Sequence, residues 1–140
     1  RHRDIFMGPK RAAGISALRS SIDRGIRFTV HDDTPVTPVN PLQLLWVSVN
    51  RLTKTNQVLG PDERIAPLDA LRAVTIDAAW SLRMDHEIGS IVAGKKADFA
   101  VLEEDPYAVL PDDVKDIEVW GTVFEGQVFP VAPTGASSGR

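Results

Sequence analysis

An α/β fold is what the sequence predicts. Three observations carry it: an apolar stripe at helical spacing stopped by a glycine, a short β-rich run directly after it, and a change after about residue 87 from 3.6-residue periodicity to short strands. Residues 1–10 (RHRDIFMGPK) read as polar and turn-like, with Gly8-Pro9 as a breaker. Over 11–24 the spacing predicts a helix, with Ile15, Leu18 and Ile22 on one face and Gly25 as the stop. Residues 26–30 (IRFTV) suit a buried strand. The next stretch, HDDTPVTPVNP, carries prolines at 35, 38 and 41 and reads as a rigid irregular loop, since proline fixes φ and removes a donor.

A second helix begins with good local chemistry. Asn40 is a natural N-cap, Pro41 fits the first helical position, and Gln43 can complete a capping box. Leu42, Leu45, Trp46, Val49 and Leu52 give it an apolar face. A third helix is expected from Pro67, with Leu68, Leu71 and Val74 on one stripe, breaking near Thr75–Asp77. Asp77 could cap a further short turn through Ala78, Trp80 and Leu82. Both Trp46 and Trp80 fall on apolar faces and are expected in packing. Beyond residue 87 come a candidate strand at 90–92, a solvated turn at Gly94-Lys95-Lys96, a strand over 97–102 and an acidic loop over 103–115. Ile117–Phe124 and Gln127–Val131 then form a hairpin around Glu125-Gly126, a dipeptide suited to a primed turn. Residues 132–140 (APTGASSGR) have the composition of a disordered tail.

Composition sets limits on function. A hydrophobic content of 43% and a net charge of −3 are those of a globular chain, with acids and bases interspersed. No basic patch points to nucleic acid, and no apolar run approaches the roughly 18 residues of a membrane span. The absence of cysteine excludes disulfides and thiolate metal sites, and mildly favours the cytoplasm. No signal peptide is visible. The chain opens at Arg1 without a methionine and reads like the middle of a longer protein.

The residues that could carry chemistry cluster in one place. HDDTPV follows the expected strand directly, and in parallel α/β folds and barrels reacting groups gather at strand C-terminal ends. A pair of acids beside a histidine there fits metal or proton-transfer work. The same Asp33-Thr34-Pro35 could equally do no more than order a turn or cap a helix.

Two further segments add to this, GSIVAGKKADFAVLEEDP at 89–106 and VWGTVFEGQVFPV at 119–131. With Thr75–Ala79 upstream they resemble the C-terminal signature of the amidohydrolase superfamily: a T-x-N-x-A-like helix, then G-x-I-x-x-G-x-x-A-D, a strand and a closing hairpin. RFTVHDDTPVTPVNPL is similar to the branch called amidohydrolase family 3, with its YtcJ-like and N-substituted formamide deformylase-like members. That branch shows Ser-Asp-x-Pro-Val at the end of barrel strand eight, and here Asp32 stands where the serine lies. The resemblance covers roughly residues 1–131. An accidental resemblance would leave 89–131 without a β-sheet.

The resemblance implies an α/β architecture in which the chain is the C-terminal part of a TIM-like (β/α)8 barrel followed by strands of a small β-sandwich. Residues 1–86 would hold the last helix, strand and loop-helices of the barrel, residues 87–131 the strands of the composite sandwich, and 132–140 the tail. It implies a metal-dependent hydrolase of non-peptide C–N bonds in amides, formamides or cyclic amides. Asp33 becomes the strand-eight carboxylate that orients metal-activated water, takes its proton and passes it to the leaving nitrogen, and that could touch the metal itself. The implied cofactor is a divalent metal, zinc, with most ligands outside this chain. His31 and His2 are substrate-contact candidates. A packed histidine is the alternative for His31, and His86 reads as a surface residue. Asp32 reads as structural, with a role in supporting the site from behind as the alternative, because neighbours on an extended chain point opposite ways; Asp98 would fix local backbone. The family's His-x-His pair and later ligands cannot be placed, so the chain alone is expected to be inactive, a fragment whose partners are an amide-type small molecule and the missing N-terminal part of the same protein. A homo-oligomer stays open. The competing reading is a free-standing, non-catalytic regulatory or interaction module.

Overall fold

Residues 2–131 are described in the computed structural model. A π-helical turn, His2–Met7, runs into Gly8, whose φ of 74° ends it, and Pro9 opens α1 (Pro9–Ala12). The single helix expected over 11–24 is divided. Gly14 and Ser16 make a turn before α2 (Leu18–Asp23), because glycine is a poor helix former and Ser16, at φ 51°, cannot continue a right-handed helix.

Ala17 has no side chain able to cap α2, and the cap comes from far along the chain. Glu63 Oε2 accepts the Ser20 N–H at 2.9 Å, and Oε1 accepts the Ser20 hydroxyl. The Ser20 hydroxyl, and after it the Ser20 amide, hold the Glu63 carboxyl below its usual range.

The segment 26–30, expected as a buried strand, carries no strand pairing among the described residues. A strand needs a neighbour to complete its ladder, and none of the described strands lies beside it. Its side chains still alternate. Phe28 and Val30 pack against the core, while Arg27 and Thr29 turn to the helices that follow.

The longest helix, α3 (Pro41–Asn50), starts as expected, with Asn40 Oδ1 accepting the Gln43 N–H at 3.1 Å. The capping box is not closed by Gln43, however. The Asn40 N–H goes to Asp32 Oδ2 at 3.0 Å. At its end Arg51 adopts the left-handed conformation (φ 59°) and is buried. Burial pushes its guanidinium pKa down from its ordinary value. It donates to the carbonyl oxygens of Leu59 (3.0 Å), Ser16 (3.1 Å) and Ile15. Gly60, at φ 62°, sits so close to this turn that a Cβ there would lie 1.9 Å from the Ala13 oxygen.

Helices α4 (Pro67–Val74) and α5 (Ile76–Ser81) break at Thr75 as expected, and of the expected stripe Leu71 and Val74 pack against the core. Ala70 and Ala73 are buried, whereas Leu68 is 58% exposed. Asp77 is no cap. It lies within α5, buried, with Arg27 Nε at 2.5 Å and Arg72 at 4.0 Å. Arg27 also donates to the Ile76 oxygen and stacks 4.7 Å above the Trp80 ring, so Trp80 is a half-exposed platform rather than core. Thr29 Oγ1 donates to the Ala73 oxygen at 2.8 Å.

Strands β1 (Phe99–Leu102), β2 (Val119–Phe124) and β3 (Gln127–Pro130) form an antiparallel sheet in that order. Phe99 faces Val123, which in turn faces Val128. The hairpin turns on Glu125 (φ 48°) and Gly126 (φ 82°), both left-handed, as a primed turn requires. The sheet excludes an accidental resemblance of the kind that would leave 89–131 without strands. The strand expected at 90–92 is absent; the Ser90 carbonyl oxygen instead accepts the Val92 N–H at 3.2 Å in a local turn. Lys95, expected in a solvated turn, is partly buried. Its ammonium donates to the Ser90 hydroxyl (2.7 Å) and to the carbonyl oxygens of Ile88 (3.2 Å) and Asp85. Lys96 lies 3.5 Å from Glu87 and 3.3 Å from Glu125, and Asp98 Oδ1 accepts the Glu125 N–H at 2.6 Å, fixing local backbone as expected.

The core gathers Leu18, Leu45, Ile65, Ala70, Val114 and Ile117 between the helices and the start of β2, with Leu102 of β1 packed at its edge. Much apolar surface stays open: Ile91 is 87% exposed and Phe124 59%. No helix among the described residues is long and apolar enough to cross a membrane. The tail expected at 132–140 lies outside the described residues.

Candidate functional site

The loop 31–40 leaves the anchored segment 26–30 and returns to the start of α3. Arg27 and Thr29 fix the segment on one side, and Phe28 and Val30 on the other, so the chain is positioned before the loop begins. Inside the loop the Thr37 hydroxyl donates to the Asp32 carbonyl oxygen, the Thr34 hydroxyl to the Thr37 oxygen (3.1 Å), and the Val36 N–H to the Asp33 oxygen (2.9 Å). The Thr34–Pro35 peptide is cis.

Asp33 opens the turn closed by Val36 and lies in the left-handed region, φ 57°, which Asp and Asn tolerate better than other side chains. Its residue is exposed. Asp32 is half-buried, and its Oδ2 accepts the Asn40 N–H. His31 is exposed rather than packed. His2 opens the π-helical turn, and its side chain lies outside the described residues. His86 is exposed beside Glu87, as a surface residue would be.

A cavity of about 600 Å³ lies between the loop, α3 and residues 52–56. His31 and Asp32 line it, with Trp46, Gln43, Lys54 and Lys115; Asp33 does not. Lys115 Nζ lies 5.6 Å from the centre of the Trp46 ring, and the Trp46 Nε1 atom is buried without a hydrogen-bond partner. The sequence singled out none of Lys54, Lys115 and Gln43 as site residues. They converge from separate segments, and no local spacing announces that.

The arrangement supplies a carboxylate, Asp33, on an anchored loop. Such a group can accept a proton or serve as one ligand among several. Among the described residues no three His, Asp or Glu side chains come together around a point. A metal needs several such donors at once, so the described residues do not by themselves fit a metal centre.

Comparison with known proteins places the chain. The profile described as the amidohydrolase family matches residues 1–130. The N-substituted formamide deformylase of Arthrobacter pascens is 34% identical over 109 residues, covering 78% of this chain and 20% of that protein. YtcJ of Bacillus subtilis is 30% identical over 126 residues, covering 87% of this chain and 24% of that protein. This chain thus spans between a fifth and a quarter of the length of these relatives. The crystal structure of an uncharacterised protein, 20% identical, superposes with a TM-score of 0.53 over 91% of this chain and 30% of the other. With one profile matching nearly every residue, the chain belongs to the amidohydrolase family of hydrolases.

Proposed function

We propose that this chain is the C-terminal portion of a metal-dependent hydrolase of non-peptide C–N bonds, and that Asp33 is its proton-transferring carboxylate. In this reading residues 1–86 close a (β/α)8 barrel and residues 87–131 supply strands of a sandwich beside it. The observation that carries it is the position of Asp33, three residues past the pinned segment 26–30 and at the start of a hydrogen-bonded turn. The name of the Arthrobacter relative supports a formamide or related amide as substrate. The divalent metal, zinc in this proposal, would take most of its ligands from outside the described residues, with Asp33 as one candidate ligand, and when bound would supply activated water. Asp33 then takes a proton from the attacking water and returns it to the departing nitrogen. His31, beside it, would contact the substrate, and His2 is proposed for the same role.

The test is hydrolysis of N-ethylformamide and of a cyclic amide by the full-length gene product containing this sequence, with and without a chelator. Asp33→Asn is expected to leave the melting temperature unchanged and to lower kcat by about 10²–10⁴-fold, the scale of a lost general base. Unchanged turnover in that variant removes Asp33 from the reaction.

The exposure of Asp33, outside the cavity its neighbours line, favours a second reading, a non-catalytic module that packs against a partner. That reading predicts a short reading frame and no turnover in either protein.

A further inference from the structure

We infer, resting on the role proposed for Asp33, that Asp32 is the positioning residue for that carboxylate. Among the described residues no hydrogen bond holds the Asp33 side chain, so its aim depends on the backbone beneath it. That backbone is left-handed at Asp33, and its turn closes through the Val36 N–H. What ties the turn to the body of the protein is Asp32. Its Oδ2 accepts the amide of Asn40, and Asn40 with its own side chain caps α3.

One carboxylate therefore joins the beginning of the loop to its end, and both to the ten-residue helix α3. The bond is charge-assisted, and Asp32 is half-buried, so it is stronger than an exposed neutral bond. It also explains why Gln43 does not close the capping box: the amide it would take is already used. The remaining loop bonds, Thr37 to the Asp32 carbonyl and Thr34 to the Thr37 carbonyl, lie within the loop and cannot fix it against α3.

The experiment compares Asp32→Ala, Asp32→Asn and Asp33→Asn in the full-length gene product, reading amide hydrogen exchange over residues 31–40 and steady-state kinetics on N-ethylformamide. Asparagine keeps an oxygen able to accept the Asn40 amide, and alanine does not. Asp32→Ala should speed exchange in the loop and lower kcat by about 10–100-fold with KM within about twofold, the cost of a reacting group misplaced by about an ångström. Asp32→Asn should restore both. Parental exchange in Asp32→Ala overturns the inference, as does equal loss of kcat in the alanine and asparagine variants, which would make the charge rather than the tether the active feature. Full activity in Asp33→Asn would instead sink the catalytic reading, while the exchange measurement would still judge the tether.

Discussion

At the scale of single residues, charged groups hold this chain together by what they accept or donate locally. Glu63 is the clearest case. Its carboxyl is held below its usual range by the Ser20 hydroxyl and amide, so the folded state releases that proton more readily than the unfolded one. The stabilisation is complete above the unfolded value near 4.3 and is lost as pH falls through the lower folded value. In urea melts from about pH 7 to pH 3, Glu63→Gln should be less stable than the parent at neutral pH, and the two curves should converge in acid. Equal stability at neutral pH would show that the contact contributes nothing. Asp33 was legible as a candidate because a carboxylate after a β-rich run is a local pattern. The role of Lys95 was not, since nothing in Gly94-Lys95-Lys96 announces that three acceptors from residues 85–90 gather around one ammonium.

Among the elements, α5 is one of the anchors of the segment 26–30, through Arg27. Asp77→Ala would leave Arg27 without its carboxylate and should lower stability by about 1.5–3 kcal/mol, the worth of a hydrogen bond to a charged group. Asp77→Asn, which keeps an acceptor, should lose less. Chemical denaturation of both variants measures the difference, and an alanine variant as stable as the parent would show that Thr29 and the core suffice. Legibility follows the reach of each determinant. The start of α3, the break at Thr75 and the turn at Glu125-Gly126 are set by residues within a few positions, and the sequence showed them. The segments 26–30 and 90–92 have the composition of strands, but strand formation depends on a partner that composition does not name. The division between α1 and α2 was missed because the apolar spacing of Ile15, Leu18 and Ile22 continues across a turn.

For the molecule as a whole, the notable property is apolar surface left open on both the helical part and the sheet. Leu82 is 67% exposed, and Trp120 and Phe129 stand near half. Where such surface is contiguous it favours association. The 140-residue chain produced alone is therefore expected to self-associate in sedimentation velocity and to carry substoichiometric zinc by elemental analysis. A monodisperse monomer holding one zinc per chain would contradict both expectations. The acid that caps α2 from 43 residues away has a kinetic meaning as well. A six-residue helix is too short to persist by itself, and this one gains its first-turn acceptor only after the intervening chain has come back to meet it. Order in α2 is then expected to follow long-range assembly rather than to seed it.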